Sequence, residues 1–141
     1  MTYTINNTTL TNLVNEEISR IAASAYSDDG NSLYDSVVTY SRDADAVSRA
    51  LKDALDAVIG RTVDICTYIP GTPALSLYAP DMDSSKEGAV SDEVTRAISL
   101  GAVSILLKEK LPARSEEYAD RSKSALDIAV ELLKTRTAPS R

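Results

Sequence analysis

Apolar residues return every three or four positions along most of this chain, the period of a helix with one buried face. Leu10, Leu13, Val14, Ile18, Ile21, Ala22 and Ala25 fall on one such stripe, with Thr8 or Thr9 placed to cap the helix. Residues 1–9 ahead of it are rich in Thr and Asn, with Tyr3 and Ile5 as isolated apolar points, and read as an extended arm. The cluster Ser27-Asp28-Asp29-Gly30-Asn31 is a strong turn signal that ends this helix. Ser32 then opens a short helix carrying Leu33, Val37 and Val38. After the turn Ser41-Arg42-Asp43 a longer helix follows, with Val47, Ala50, Leu51, Ala54, Leu55, Val58 and Ile59 on one side.

Gly60 is a candidate end for that helix. The three-four spacing nevertheless continues through Thr62, Ile65, Cys66 and Ile69, which favours one helix passing through Gly60 at a cost of about 1 kcal/mol relative to Ala. The competing reading makes Thr62–Ile69 a strand, because it is rich in β-branched residues. Pro70-Gly71-Thr72-Pro73 is a stop and a turn. Ala74–Ala79 alternates, with Leu75 and Leu77 on one side and Ser76 and Tyr78 on the other, and reads as a short strand ended by Pro80. Asp81–Gly88 is a polar loop.

The strongest helical signal is the last third. Ser91 caps a predicted helix with Asp92 and Glu93 in its first turn and a stripe of Val94, Ala97, Ile98, Gly101, Ala102, Ile105 and Leu106. Gly101 in mid-helix points to a close backbone crossing. Lys108 and Lys110 fall in the last turn, and Pro112 breaks the chain. Ser115 caps the next helix, whose stripe is Tyr118, Ala125, Ile128, Ala129 and Leu132, widened by Leu126, Val130 and Leu133. Glu117 and Arg121 form an i,i+4 pair in the better orientation. The tail 137–141 has no reason to order by itself.

Composition narrows the chemistry. With 141 residues the chain reads as one domain, long enough to bury a substantial core. It has no His, no Trp and no Phe, so aromatic packing rests on seven tyrosines. Without His, a Cys–His nucleophile pair, a Ser–His–Asp triad or a His-containing zinc site cannot form within one subunit. The single cysteine, Cys66, lies in an apolar run and reads as a small buried hydrophobe in a reducing compartment. A net charge of −6 argues against gripping nucleic acid, yet suits a wall past which phosphates must slide. No stretch approaches the roughly 20 apolar residues of a membrane span, and the N-terminus has neither the basic nor the apolar region of a secretory signal.

Each remaining candidate site has a plainer reading. Asp81-Met82-Asp83-Ser84-Ser85-Lys86-Glu87 resembles the start of a calcium loop but lacks the glycine at the sixth position and the carboxylate at the twelfth. Asp28-Asp29-Gly30-Asn31 is a turn before it is a metal site. The Pro-Gly-Thr-Pro turn is not followed by Lys-Ser/Thr, so it is not a phosphate loop. Ser99, Ser104, Ser122 and Ser124 lack the Ser-x-x-Lys context of a serine nucleophile. Lys108, Lys110, Arg114, Arg121 and Lys123 are interleaved with Glu109, Glu116, Glu117 and Asp120, a salt-bridged face or subunit contact rather than a nucleic-acid patch. No constellation supports an enzyme, a cofactor or a metal.

A resemblance supplies what chemistry does not. Ala102, Ile105, Leu106 and Leu107 lead to Leu111-Pro112, then to Glu116-Glu117-Tyr118-Ala119, and then to Ala125-Leu126 and the run from Ala129 to Leu133. This resembles the head–tail connector (adaptor, head-completion) proteins of tailed bacteriophages and prophages, in which a hydrophobic helix ends near Leu-Pro and a helix with a Glu-Glu-Tyr-Ala start follows. The upstream order is similar too: an N-terminal helix, an alanine- and aspartate-rich helix, then a strand-bearing excursion. Thr67–Gly88 is longer than in compact members.

The resemblance implies a mainly α protein, a bundle of four to five helices with a small β excursion at 67–88 inside a single domain of residues 10–136. It implies a structural virion protein at the head–tail interface, made in the host cytoplasm and carrying no catalytic residues. Such subunits form a ring, typically of twelve, that binds the portal protein and neck or tail proteins and extends the channel through which DNA passes without specific binding. The alternatives are another neck or tail-completion structural protein, or a small helical protein-binding module.

Overall fold

The computed structural model of the chain describes residues 2–24, 44–64, 67–69, 74–78, 84–109 and 111–134. The protein is mainly helical, a bundle of four long helices among these residues. They are α1 (Asn7–Ser24), α2 (Ala44–Thr62), α3 (Glu87–Leu107) and α4 (Pro112–Leu133). Three short extended segments accompany them: β1 (Thr2–Asn6), β2 (Thr67–Ile69) and β3 (Ala74–Tyr78). Their backbones pair antiparallel in the order β1-β3-β2, with Thr2 opposite Tyr78 and Asn6 opposite Ala74 in one ladder and Thr67 opposite Tyr78 in the other. A 3-10 turn, Ser84–Lys86, leads into α3.

Helix α3 is the axis of the bundle and touches each of the other three helices. Its sequence requires this. Val90, Val94, Ala97, Ile98, Ala102, Val103, Leu106 and Leu107 are all buried, and they cover far more than one face. A helix apolar over most of its circumference is stable in water only when neighbours surround it. The other helices are amphipathic. Each turns a stripe inward: Leu10, Val14, Ile18, Ile21 and Ala22 from α1, Val47, Ala50, Leu51, Ala54 and Val58 from α2, and Tyr118, Ala125, Ala129 and Leu133 from α4. Fully burying one such Leu or Ile contributes about 1.5–3 kcal/mol.

Gly101 lies where three helices meet. A Cβ placed there would sit 3.1 Å from the Ser122 hydroxyl of α4 and 3.2 Å from the Ala54 Cβ of α2. The close crossing expected at this glycine is present, and small residues on both neighbours make it possible. Gly60, by contrast, has nothing within 4 Å of the same virtual atom. Helix α2 passes through Gly60 because Val58 and Thr62 on its inner face are buried. It stops at Thr62, whose hydroxyl donates to the Val58 carbonyl at 2.8 Å. Neither reading of Thr62–Ile69 holds whole: the helix takes Thr62, a turn follows, and Thr67–Ile69 is extended.

Helix starts differ from the expectation in three places. Helix α1 begins at Asn7, and its cap is Asn6, whose Oδ1 accepts the N–H groups of Thr8 at 2.9 Å and Thr9 at 3.2 Å. Neither Thr8 nor Thr9 is the cap, and the arm ends at residue 6. Helix α3 begins at Glu87, four residues before Ser91, with Lys86 at the cap position and no side-chain capping bond. Burial of Val90 adds one more turn to the apolar stripe and draws the helix back past the expected cap. Helix α4 begins at Pro112, not Ser115. Proline suits the first helical turn because its φ is already helical and its missing N–H would be unpaired there. Leu111 before it is non-helical (φ −134°, ψ 69°), as a residue preceding proline prefers.

Three predicted core residues face outward. Ile105 is 44% exposed and Ile128 is 49% exposed, and Leu13 on α1 is 36% exposed. The short helix at Ser32–Val38, the turns 27–31 and 70–73, Ala25, Cys66, Asp81–Asp83, Lys110 and the tail 137–141 lie outside the described residues.

Candidate functional site

The polar side chains that bind elements to one another collect on α4. Ser115 is buried, and its hydroxyl donates to the Ser104 carbonyl at 2.7 Å while the Ser104 hydroxyl donates to the Ser115 carbonyl at 2.7 Å. Two turns further along, the Ser122 hydroxyl donates to the Ala97 carbonyl at 2.6 Å. These serines sit on the inner faces of two antiparallel helices joined by a short link. Each hydroxyl meets a carbonyl of the opposite helix because no large side chain holds the backbones apart. Ser104 and Ser122, weighed in the sequence as nucleophiles, are therefore ties within the α3–α4 hairpin. Ser99 donates weakly to the Arg96 carbonyl of its own helix at 3.3 Å, and Ser124 is exposed.

Tyr118 links α4 to α1. It is 3% exposed, within the α4 stripe, and its hydroxyl donates to Glu17 Oε1 at 2.5 Å. The other carboxylate oxygen of Glu17 faces Arg20 Nη1 at 3.2 Å. Arg121 lies over the Tyr118 ring, 5.0 Å from its centre, and reaches Glu117 at 2.8 Å. Burial pushes the Tyr118 phenol up to about 12. The hydrogen bond and charge of Glu17 add to this, while Arg121 and Arg114 pull the other way. A phenol so held stays protonated and serves as a donor at neutral pH. It is a structural tie, not a proton carrier.

Two grooves border α1. One, of about 420 Å³, lies between α1, α3 and α4, with Leu13, Glu17 and Arg20 on one wall, Arg96 and Leu100 on a second and Arg121 on the third. The other, of about 400 Å³, lies between α1 and α2 and is lined by Leu10, Thr11, Asn15, Val47, Leu51 and Leu55 among others. The three guanidiniums of the first groove each face a carboxylate of their own helix: Arg20 with Glu17, Arg96 with Glu93 at 3.7 Å, and Arg121 with Glu117. Asn15 Oδ1 and Glu93 Oε2 are buried without a hydrogen-bond partner among the described residues.

The charged face predicted around the α3–α4 link divides. Arg114 and Arg121 both reach Glu117, at 3.5 and 2.8 Å, which makes a small surface network of the expected i,i+4 pair and one more cation. Lys108, Glu109, Glu116, Asp120 and Lys123 are exposed around it. Of the calcium-loop residues, Ser84–Lys86 form the 3-10 turn and Glu87 opens α3, so that loop is shorter than its sequence suggested. Among the described residues no three carboxylate or thiol groups converge as metal ligands. No described helix is long and apolar enough to cross a membrane.

The Tyr118–Glu17 pair escaped the sequence, since 101 positions separate its members. One signal was there: a tyrosine inside an apolar stripe needs a partner for its hydroxyl once buried. Which carboxylate supplies it depends on how α1 lies across α3, which periodicity does not encode. In comparison with known proteins, no family model, no curated protein and no solved structure matches the chain, so its function is read from its own residues and their geometry.

Proposed function

We propose that this chain is a structural virion protein, one subunit of a head–tail connector ring that joins the portal to the tail and extends the DNA channel. The observation that carries the reading is the part played by the motif residues in the α3–α4 hairpin. Leu111 packs against the core and Pro112 is the first residue of α4. Tyr118 of the Glu-Glu-Tyr-Ala start is buried, as are Ala125, Ala129 and Leu133 further along. The apolar residues of the motif from Leu106 to Leu133 thus largely serve packing, which suits a rigid scaffold subunit, while Ile105, Glu116 and Ala119 face outward. The segment 67–88, which holds β2, β3 and the 3-10 turn, is then an inter-subunit or tail-facing element, and the acidic balance suits a channel wall.

Co-expression with a portal ring, followed by sedimentation and electron microscopy, tests the reading. A ring of these subunits on the portal is the expected product. A chain that stays monomeric at high concentration and ignores the portal would sink it.

A further inference from the structure

Three grooves meet over one stretch of α3. The groove of about 420 Å³ between α1, α3 and α4 shares Arg96 and Arg121 with a second, of about 330 Å³, that runs along α4 past Ser124 to Ile128. A third, of about 600 Å³, shares Glu93 and Arg96 and opens between Thr9 of α1 and Ser91 and Asp92 of α3. Together they form one trough, with Leu13 on the α1 wall and Ile128 on the α4 wall, both exposed. The trough is acidic. Six carboxylates line it, those of Glu16, Glu17, Asp92, Glu93, Glu117 and Asp120, against the guanidiniums of Arg20, Arg96 and Arg121. Glu17, Glu93 and Glu117 already face these three. Glu16, Asp92 and Asp120 are exposed and form no ion pair among the described residues. Glu93 holds Arg96 loosely, at 3.7 Å, and its Oε2 is buried without a hydrogen-bond partner among the described residues. A buried acceptor left so costs its desolvation, which a donor entering the trough offsets.

An occupant of this trough has to be cationic, and the chain carries such a segment. Residues 134–141 read Lys-Thr-Arg-Thr-Ala-Pro-Ser-Arg, with three cations and no acid. Helix α4 delivers them to the right end. The Ser122–Ala97 and Ser104–Ser115 bonds set α3 and α4 antiparallel with Glu93 about level with Leu126, roughly 12 Å before Lys134 along the axis. Asp120 lies roughly 21 Å before Lys134. Fully extended, residues 135–141 span about 23–25 Å, enough to cover that distance. We propose that residues 135–141 fold back along α4 into the trough of their own chain. Arg136 then meets Asp92 and Glu93, Arg141 meets Asp120, and Ala138-Pro139 covers Ile128. The trough is thereby a site for a basic segment, and its salt bridges weaken as ionic strength rises. This docking depends on the trough and the tail alone, not on the connector reading.

Paramagnetic broadening on the full chain tests this, with a nitroxide attached through Ser140→Cys in a Cys66→Ser background. Amides of Asp92 to Arg96 and of Asp120 to Ile128 should lose their signals until the nitroxide is reduced, while those of Val47 to Lys52 in α2 keep theirs. Adding Arg136→Glu and Arg141→Glu to the labelled chain should restore the lost signals. Full signals throughout in the chain without these two changes would overturn the docking, and broadening that survives the charge reversal would overturn its ionic basis. A mixture of spin-labelled chain with isotope-labelled chain that carries no nitroxide separates the two possible hosts. Unbroadened signals in the mixture are expected. Broadening of Asp92 to Arg96 there would put the tail in the trough of a second copy and overturn its return to its own.

Discussion

A serine beside acidic residues means different things at the two places where this chain offers one. Ser91 looks like a cap and lies inside α3, half-buried, with no capping bond at the true start of the helix. Ser115 looks like a cap and is a buried tie between two helices. Loss of a real cap typically costs about 1 kcal/mol. Ser91→Ala should therefore change stability to urea by no more than a few tenths of that. Ser115→Ala should cost about 1 kcal/mol, because it removes the hydroxyl bonded to the Ser104 carbonyl while the Ser104 hydroxyl keeps its bond to the backbone carbonyl of residue 115. Tyr118 makes a separate prediction. Its folded pKa, pushed up to about 12, lies above the ordinary value of 10.0, so folding favours its protonated form. That contribution is fully present below about pH 10 and is lost as pH rises towards 12. Ultraviolet titration should show a tyrosine ionising well above pH 10, and Tyr118→Phe should abolish that late step.

At the scale of elements, two glycines in helices have opposite prospects. Gly101 is pressed between α2 and α4, so Gly101→Leu should destabilise by about 1–3 kcal/mol or more through overpacking. Gly60 faces open space, and Gly60→Ala should stabilise by about 0.5–1 kcal/mol by stiffening the unfolded chain and favouring the helix. Denaturant midpoints of the two variants, moving in opposite directions, would check both. The existence of these helices was legible in the sequence because spacing alone places Leu10, Val14, Ile18, Val47, Ala54, Val58, Val94, Ile98, Tyr118 and Ala125 on inward faces. Their starts were not legible. A Ser-Asp-Glu run carries a capping pattern wherever it falls, whereas the burial of Val90 and the fixed φ of Pro112 decide where α3 and α4 begin. Ile105 and Ile128 misled for a related reason. Helical spacing gives an angle around the axis, and an apolar residue at that angle is buried only where a neighbour covers it.

For the whole molecule, α3 at the centre makes the bundle one cooperative core, and surface charges add little to it. Arg61 of α2 reaches Asp127 of α4 at 2.7 Å, but both side chains are close to half exposed. Arg61→Ala should alter stability by less than about 1 kcal/mol, and less still in high salt, as thermal melts at two ionic strengths would show. The candidate site was only half legible at this scale. The α3–α4 hairpin was visible because its partners are close in sequence. The α1 grooves and the Tyr118–Glu17 contact were not, because they follow from the path of α1 across α3.

That separation of 101 positions has a consequence for synthesis. Helix α1 leaves the ribosome before α3 and α4 exist, and at roughly 5–20 residues per second the chain needs some 5–20 s to produce Tyr118 after Glu17. Until α3 is made, Leu10, Val14, Ile18 and Ile21 lack the central helix on which they pack. The α3–α4 hairpin, closed by neighbours in sequence, forms quickly once made. The helix translated earliest among the four thus waits longest for the central helix that buries its stripe, and its apolar face is the one left open longest during synthesis.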